Sequence, residues 1–236
     1  MNILQLMMAG SGVRFGADIP KQFVEIKDKP IFAYILDGYN QCEDIDRIVV
    51  VTHPDWIDYV LEWKETLGAD KLYSVTAGGA TRSESVKNGL TEIDRFGNDD
   101  DIVLIHDATH PYVDYRGTHE IIEAVKQYGG ATLGQFQYDT VYQMNEETHL
   151  LEKVVPRQTI VSGASPEAFR FGDIYNIYKN STQEELEKMT SAGAIALAHN
   201  IPMKVIRTDL INLKITYPGD MALFNELVDF YFPHHE

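Results

Sequence analysis

The sequence predicts an α/β fold, a mainly parallel sheet flanked by helices, in one domain spanning 1–236 with a projecting β-hairpin arm. Three observations carry that expectation. Short apolar runs alternate with amphipathic segments along the chain, the pattern of strands and crossover helices in a layered sheet. The first apolar run enters a glycine-rich turn directly. One segment, 136–158, departs from the alternation and switches between polar and apolar residues about Asn145-Glu146-Glu147-Thr148, as a hairpin does.

Taken in order, 3–8 is an apolar run closed by Ala9-Gly10 and reads as strand one. Apolar residues recur at helical spacing over 31–39, and 48–52 is a β-branched run that reads as the second strand. A helix follows over 55–67, then a short strand at 74–76. Thr81 and Glu84 spell a capping box for a helix over 82–92. Strand 102–106, helix 119–127 and strand 131–135 repeat the unit. After the arm come helices over 172–179 and 183–199, a strand at 203–206, and a final helix over 218–230 that opens on a proline. Asn212-Leu213-Lys214-Ile215-Thr216 alternates and reads as a further strand. In folds of this kind ligands sit beyond the carboxyl ends of the strands, so the glycine-rich turn and Asp107, which follows 102–106, are expected to share one crevice.

Composition narrows the partners. With 36 Asp and Glu against 20 Lys and Arg, the formal charge is −16, which disfavours nucleic acid and anionic membrane surfaces. An anionic small molecule would need a local cationic pocket, which draws attention to Arg14, Lys21, Arg82, Arg157 and Lys214. The single cysteine, Cys42, excludes an internal disulfide and suits a reducing compartment. No basic leader and no run of membrane-spanning length is seen, so a cytoplasmic protein is expected.

The turn Ala9-Gly10-Ser11-Gly12-Val13-Arg14-Phe15-Gly16, followed by Pro20-Lys21-Gln22-Phe23, has the makings of a phosphate site. Glycines let backbone N–H groups approach phosphate oxygens closely, and Arg14 and Lys21 add charge. A dinucleotide-binding turn would need a helix running on from the second glycine, and Pro20 would break it. No G-x-x-x-x-G-K-[ST] occurs. An irregular loop with two nearby cations suits a nucleoside triphosphate better.

The segment M-A-G-S-G-V-R-F-G through P-K-Q-F resembles the signature loop of the cytidylyltransferases that make CDP-alditols. That family comprises the 2-C-methyl-D-erythritol 4-phosphate enzymes and the ribitol-5-phosphate enzymes of wall polymer synthesis. The similarity continues through Gly78-Gly79-Ala80-Thr81-Arg82-Ser83-Glu84-Ser85-Val86, His106-Asp107-Ala108-Thr109-His110-Pro111, Asp139-Thr140, Pro156-Arg157 and Asn212–Thr216, in the family's order. The resemblance implies a Rossmann-like sheet of the nucleotide-diphospho-sugar transferase type and transfer of CMP from CTP to an alditol phosphate with release of pyrophosphate. By the same resemblance Arg14, Lys21 and Lys214 act on the phosphates. Ala9, Gly10, Ser11, Gly12, Gly79, Arg82, Ser85, Asp107 and His110 bind CTP, and Asp107 holds Mg²⁺. Thr140 and Arg157, on opposite strands of the arm, bind the alditol phosphate in a neighbouring subunit, which implies a homodimer.

The chain departs from the family at three places. His110 stands where the family has Arg, Ala164-Ser165-Pro166 replaces Gln-Thr-Pro, and Thr190-Ser191 replaces Thr-Asp. The last two lie near the alditol side, so the acceptor is the less secure part of the reading. The stretches 47–56 and 186–190 resemble the ribitol branch more closely, with the methylerythritol branch as the alternative. Two readings outside the class stay open: a nicotinamide-dependent reductase, on the glycines and Tyr175-x-x-x-Lys179, and a nucleotide-binding member without turnover, on His110 and Ser191.

Overall fold

The computed structural model describes residues 1–10 and 19–232, so Ser11, Gly12 and Arg14 lie outside the described residues. Strand β1 (Asn2–Met8) leads, after a short 3-10 turn over Lys21–Phe23, to the two-residue strands β2 (Glu25–Ile26) and β3 (Lys29–Pro30), then helix α1 (Ile31–Gln41). Next come β4 (Arg47–Thr52), α2 (Ile57–Leu67), β5 (Leu72–Ala77), α3 (Arg82–Ile93), β6 (Ile102–Asp107), α4 (Tyr115–Tyr128) and β7 (Gly130–Phe136). The arm is β8 (Val141–Met144) and β9 (Leu151–Val155), followed by β10 (Val161–Arg170), α5 (Phe171–Asn180), α6 (Gln183–Glu187), α7 (Ala192–Ala198), β11 (Met203–Arg207) and α8 (Pro218–Tyr231).

The central sheet has the order β11-β7-β10-β6-β1-β4-β5. All its pairs are parallel except those of β10, which runs antiparallel to both β6 and β7. Alternation along the strands sorts the core into two faces. Leu4, Leu6, Ile48, Val50 and Leu104 pack with α1, α2, α4 and α8, whereas Ile3, Met7, Val49, Val51, Val103 and Ile105 pack with α3, α5, α6 and α7. Both faces of the central strands are therefore apolar, as parallel strands covered on both sides must be. The one buried polar side chain of β1, Gln5, donates to Val86 O at 3.0 Å. Gly89 makes room for it, since a Cβ there would fall 2.4 Å from Gln5 Nε2.

Three sequence expectations need correction. The helix expected over 183–199 is two helices, because the Ser191 hydroxyl accepts from Ala194 N at 3.0 Å and starts α7 afresh. Strand β10 has no counterpart in the sequence reading: Gly163, Ser165 and Pro166 mask its alternation. Finally, 212–216 forms no ladder and has no regular secondary structure; it is held to the loop after β6 by Ile215 N donating to Thr109 O at 2.8 Å. Leu213 and Ile215 are buried while Lys214 is exposed. The apolar alternation thus records docking onto a loop.

Candidate active site

A crevice of about 630 Å³ opens beyond the carboxyl ends of β1 and β6, with Gly10, Lys21, Arg82, Asp107, Thr109 and Lys214 among its walls. Ala9, Gly79, Thr81 and Ser85 also line it. The expectation that the glycine-rich turn and Asp107 share one crevice holds for the described part of that turn.

Asp107 ends β6 and Arg82 opens α3, and they meet with Arg82 Nη2 3.0 Å from Asp107 Oδ1. Burial alone would raise the Asp107 carboxyl, but Arg82, with Lys214, outweighs it and holds the group below the usual carboxylate range. Asp107 is therefore an anion, the form a hard divalent cation requires. Lys21, on the 3-10 turn, donates to the Ile215 carbonyl, which ties the segment carrying Lys214 to the segment after the glycine-rich turn.

The loop before α3 is shaped by its own side chains. Thr81 and Glu84 form the expected capping box. Ala80 N also donates to Glu84 Oε2 at 2.6 Å, Gly79 N donates to Ser85 Oγ at 3.0 Å, and the same hydroxyl donates to Thr81 O at 2.9 Å. Gly79 has no space for a side chain, since a Cβ would lie 2.3 Å from that of Glu84. The amide donors of this loop are engaged, Gly78 N with Thr52 O at 2.7 Å and the other three with Ser85 and Glu84, so it has carbonyl oxygens to offer a ligand.

His110 lies beneath the crevice. It is buried and absent from the crevice walls, and burial, reinforced by His106 and Lys214, lowers its pKa to about 4. A neutral, buried imidazole is a weaker triphosphate ligand than Arg would be, so the geometry lends the expected CTP contact at His110 no support. His106 is fully buried, its Nδ1 2.9 Å from Tyr39 Oη and its Nε2 2.8 Å from His110 O. Burial lowers its pKa to about 4 as well. Its two nitrogens therefore hold α1 and the loop after β6 together.

Thr140 and Arg157 flank the arm rather than sitting within β8 and β9, and both are exposed. Arg157 donates to the Tyr138 carbonyl, and neither residue lines this chain's crevice. The arm itself turns on Asn145, whose Oδ1 accepts from Glu147 N and Thr148 N at 3.1 and 2.9 Å. Tyr138, Tyr142, Leu150, Leu151 and Val154 are each more than half exposed along it.

The reductase reading fails on geometry. Tyr175 donates to Asp94 Oδ2 at 3.0 Å and Lys179 lies over the Tyr175 ring at 5.3 Å, on α5 and away from the crevice walls. One residue that sequence reasoning passed over is Gln22. Buried beside Lys21, it donates from one nitrogen to Met8 O at 2.7 Å and Gly10 O at 2.8 Å, pinning the entrance of the glycine-rich turn. Its only sequence signal is its place beside Lys21.

The IspD family, described as 2-C-methyl-D-erythritol 4-phosphate cytidylyltransferase, matches residues 3–229. A ribitol-5-phosphate cytidylyltransferase of Streptococcus agalactiae serotype Ia is 30% identical over 230 residues, covering 97% of this chain and 96% of that one. A 2-C-methyl-D-erythritol 4-phosphate cytidylyltransferase of Thermotoga neapolitana is 31% identical over 225 residues, covering 94% and 95%. Among solved structures, the 4-diphosphocytidyl-2C-methyl-D-erythritol synthase of Anaerococcus prevotii superposes with a TM-score of 0.80 at 21% identity, covering 97% of this chain and 98% of that one.

Proposed function

Since this chain belongs to the IspD family of cytidylyltransferases, we propose that it transfers CMP from CTP to an alditol phosphate, ribitol 5-phosphate before 2-C-methyl-D-erythritol 4-phosphate, and releases pyrophosphate. A phosphate oxygen of the acceptor bonds to the α-phosphorus of CTP while the bond from that phosphorus to the β-phosphate oxygen breaks. The attacking oxygen is already anionic, so no general base is needed. The protein has to align two polyanions and neutralise them.

The observation that carries this reading is the crevice itself: Lys21, Arg82 and Lys214 converge on it with ionised Asp107, in a chain whose formal charge is −16. Lys21 and Lys214 take the α-phosphate, and Arg14 holds the triphosphate. Ala9, Gly10, Ser11 and Gly12 supply backbone to the triphosphate. Gly79 and its neighbours, with their amides engaged, present acceptors suited to the exocyclic amine of cytosine and unsuited to the carbonyl of uracil. Ser85 shapes that loop.

No group of three or more His, Cys, Asp or Glu residues able to hold a metal occurs among the described residues. A Mg²⁺ fits all the same, with Asp107 as one oxygen ligand and triphosphate oxygens and water as the rest. It would supply charge neutralisation on the phosphates. Thr140 and Arg157, exposed at the base of an apolar arm, would bind the acceptor phosphate in the crevice of a second copy, making the active form a homodimer. We place it in the cytoplasm on its lone cysteine; among the described residues no helix is long and apolar enough to cross a membrane.

Pyrophosphate release from CTP and Mg²⁺ tests the reading, with ribitol 5-phosphate, methylerythritol 4-phosphate and other short alditol phosphates compared. Release with one acceptor establishes the reaction and names the substrate. Silence with all, despite CTP binding, refutes it.

A further inference from the structure

Arg82 pairs with one carboxylate, Asp107, and lies within electrostatic reach of a second, Glu167, and only the first lines the crevice. Strand β10 pairs with β6 so that Glu167 lies opposite Ile105, two residues before Asp107. Directly opposed residues share a face of the sheet, and diagonal neighbours on that face are about 7–8 Å apart. Glu167 and Asp107 therefore flank the place where Arg82 comes down from α3. Asp107 is the present partner, at 3.0 Å. Glu167 is held from the other side, with Oε1 accepting from Gly193 N at 3.1 Å. Gly193 permits this, because a Cβ there would fall 2.5 Å from that oxygen.

A second observation points to the same spot. Tyr178 of α5 is fully buried and its hydroxyl finds no hydrogen-bond partner among the described residues, although such a group is costly to leave unpaired. It lies within electrostatic reach of Arg82, Glu167 and Asp107. Burial raises the Glu167 carboxyl while Arg82 pulls it back, so a closer approach of Arg82 would suit both groups.

We propose that Glu167 and the Tyr178 hydroxyl form a second seat for the Arg82 guanidinium, taken when Asp107 turns to the metal-bearing triphosphate. Glu167 is then a positioning residue: it keeps Arg82 aligned, and the crevice wall in place, once the first partner is engaged elsewhere. Arg can serve two acceptors because its guanidinium carries five donors in a fixed fork. The proposal rests on the reading of Asp107 as the residue that takes Mg²⁺ with CTP.

Two measurements test it. The first needs no ligand: thermal unfolding of Asp107→Asn, Glu167→Gln and the double variant. With two alternative seats each single loss is covered by the other, so the double variant should fall in melting temperature by about 2–4 °C more than the two singles together. Additive losses would overturn the proposal. The second is CTP affinity by calorimetry, with Mg²⁺ and with EDTA. Glu167→Gln should weaken binding about tenfold with Mg²⁺ and less than twofold without. Tyr178→Phe, which removes only an unpaired oxygen, should weaken it in the same direction. Equal losses in both conditions, or none, would mark Glu167 as merely structural. Indifference of the unmodified protein to Mg²⁺ would overturn the reading of Asp107, and the metal-driven exchange with it, whatever the unfolding cycle shows.

Discussion

Replacing Gln22 by Ala removes one nitrogen and thereby two hydrogen bonds, to Met8 O at 2.7 Å and Gly10 O at 2.8 Å. Both acceptors lie at the end of β1 where the crevice begins, and water has little access to Gln22 itself, which is 4% exposed. At about 1 kcal/mol for each bond, with a further cost for the space left behind, the loss comes to about 3 kcal/mol. For 236 residues the unfolding entropy near the midpoint is about 0.5 kcal/mol/K, so the melting temperature should fall by about 6 °C. Gln22→Glu keeps the size but turns an acceptor toward two carbonyl oxygens, and should cost more than the alanine variant. Thermal scans of both, paired with CTP titrations, check this. Affinity for CTP should drop along with stability, because Gly10 leads directly into the phosphate turn. A melting temperature within 1 °C of the unmodified protein, or a glutamate variant more stable than the alanine one, would refute the reasoning.

Three further outcomes follow from the same geometry. His106 and His110 are both lowered from 6.5 to about 4, chiefly by burial, so between those values the unfolded chain binds protons that the native chain does not. Their contribution is full above pH 6.5 and lost as pH falls toward 4, by about 1.4 kcal/mol per pH unit for each. Glu167, raised by burial, opposes them with one proton against two. Urea midpoints should therefore decline from pH 7 to pH 5, and a level series would count against the buried neutral pair. Lys214→Met should lower kcat/KM by about 10²-fold or more with melting unchanged, since the side chain is exposed; a rate within a factor of two, measured by pyrophosphate release, would remove Lys214 from the phosphate site. Ser85→Ala frees the Gly79 amide from its 3.0 Å bond and should erode the preference for CTP over UTP by about tenfold; an unchanged ratio would deny the loop its part in reading the base.

Much of the fold was legible because parallel strands covered on both faces appear as unbroken apolar runs, which is how β1, β4 and β6 stand out. What was hidden has physical reasons. Strand β10 enters the middle of the sheet antiparallel, with a register shift between Ala164 and Glu167, and a bulge destroys the period by which strands are recognised. The break between α6 and α7 depends on one hydroxyl, that of Ser191, and Ser reads equally as a helix residue or a cap. Segment 212–216 kept the strand pattern because docking Leu213 and Ile215 against a loop demands the same alternation as a ladder.

The site divides along a similar line. Lys21, Arg82 and Lys214 could be picked out because cations are conspicuous in a chain of net charge −16, and Asp107 because it follows a buried strand; all four line the crevice. Gln22, Glu167 and Tyr178 could not, because what they do depends on which groups they meet across the sheet. His110 shows the limit most sharply. It occupies the motif position where the family has an Arg, yet here the side chain is buried and desolvation keeps it neutral. Position in a motif fixes where the backbone goes; which way a side chain turns from that backbone depends on the layer beneath. Here that layer is the Tyr39–His106 pair, which takes the His110 carbonyl at 2.8 Å and so sets the course of the loop that follows Asp107. The cations of the crevice wall are supported in the same way: Lys21 against the Ile215 carbonyl and Arg82 against Asp107. A crevice that must hold two polyanions needs its positive charges fixed before either arrives, and in this chain a backbone carbonyl and an ionised carboxylate beside the cations supply that fixing.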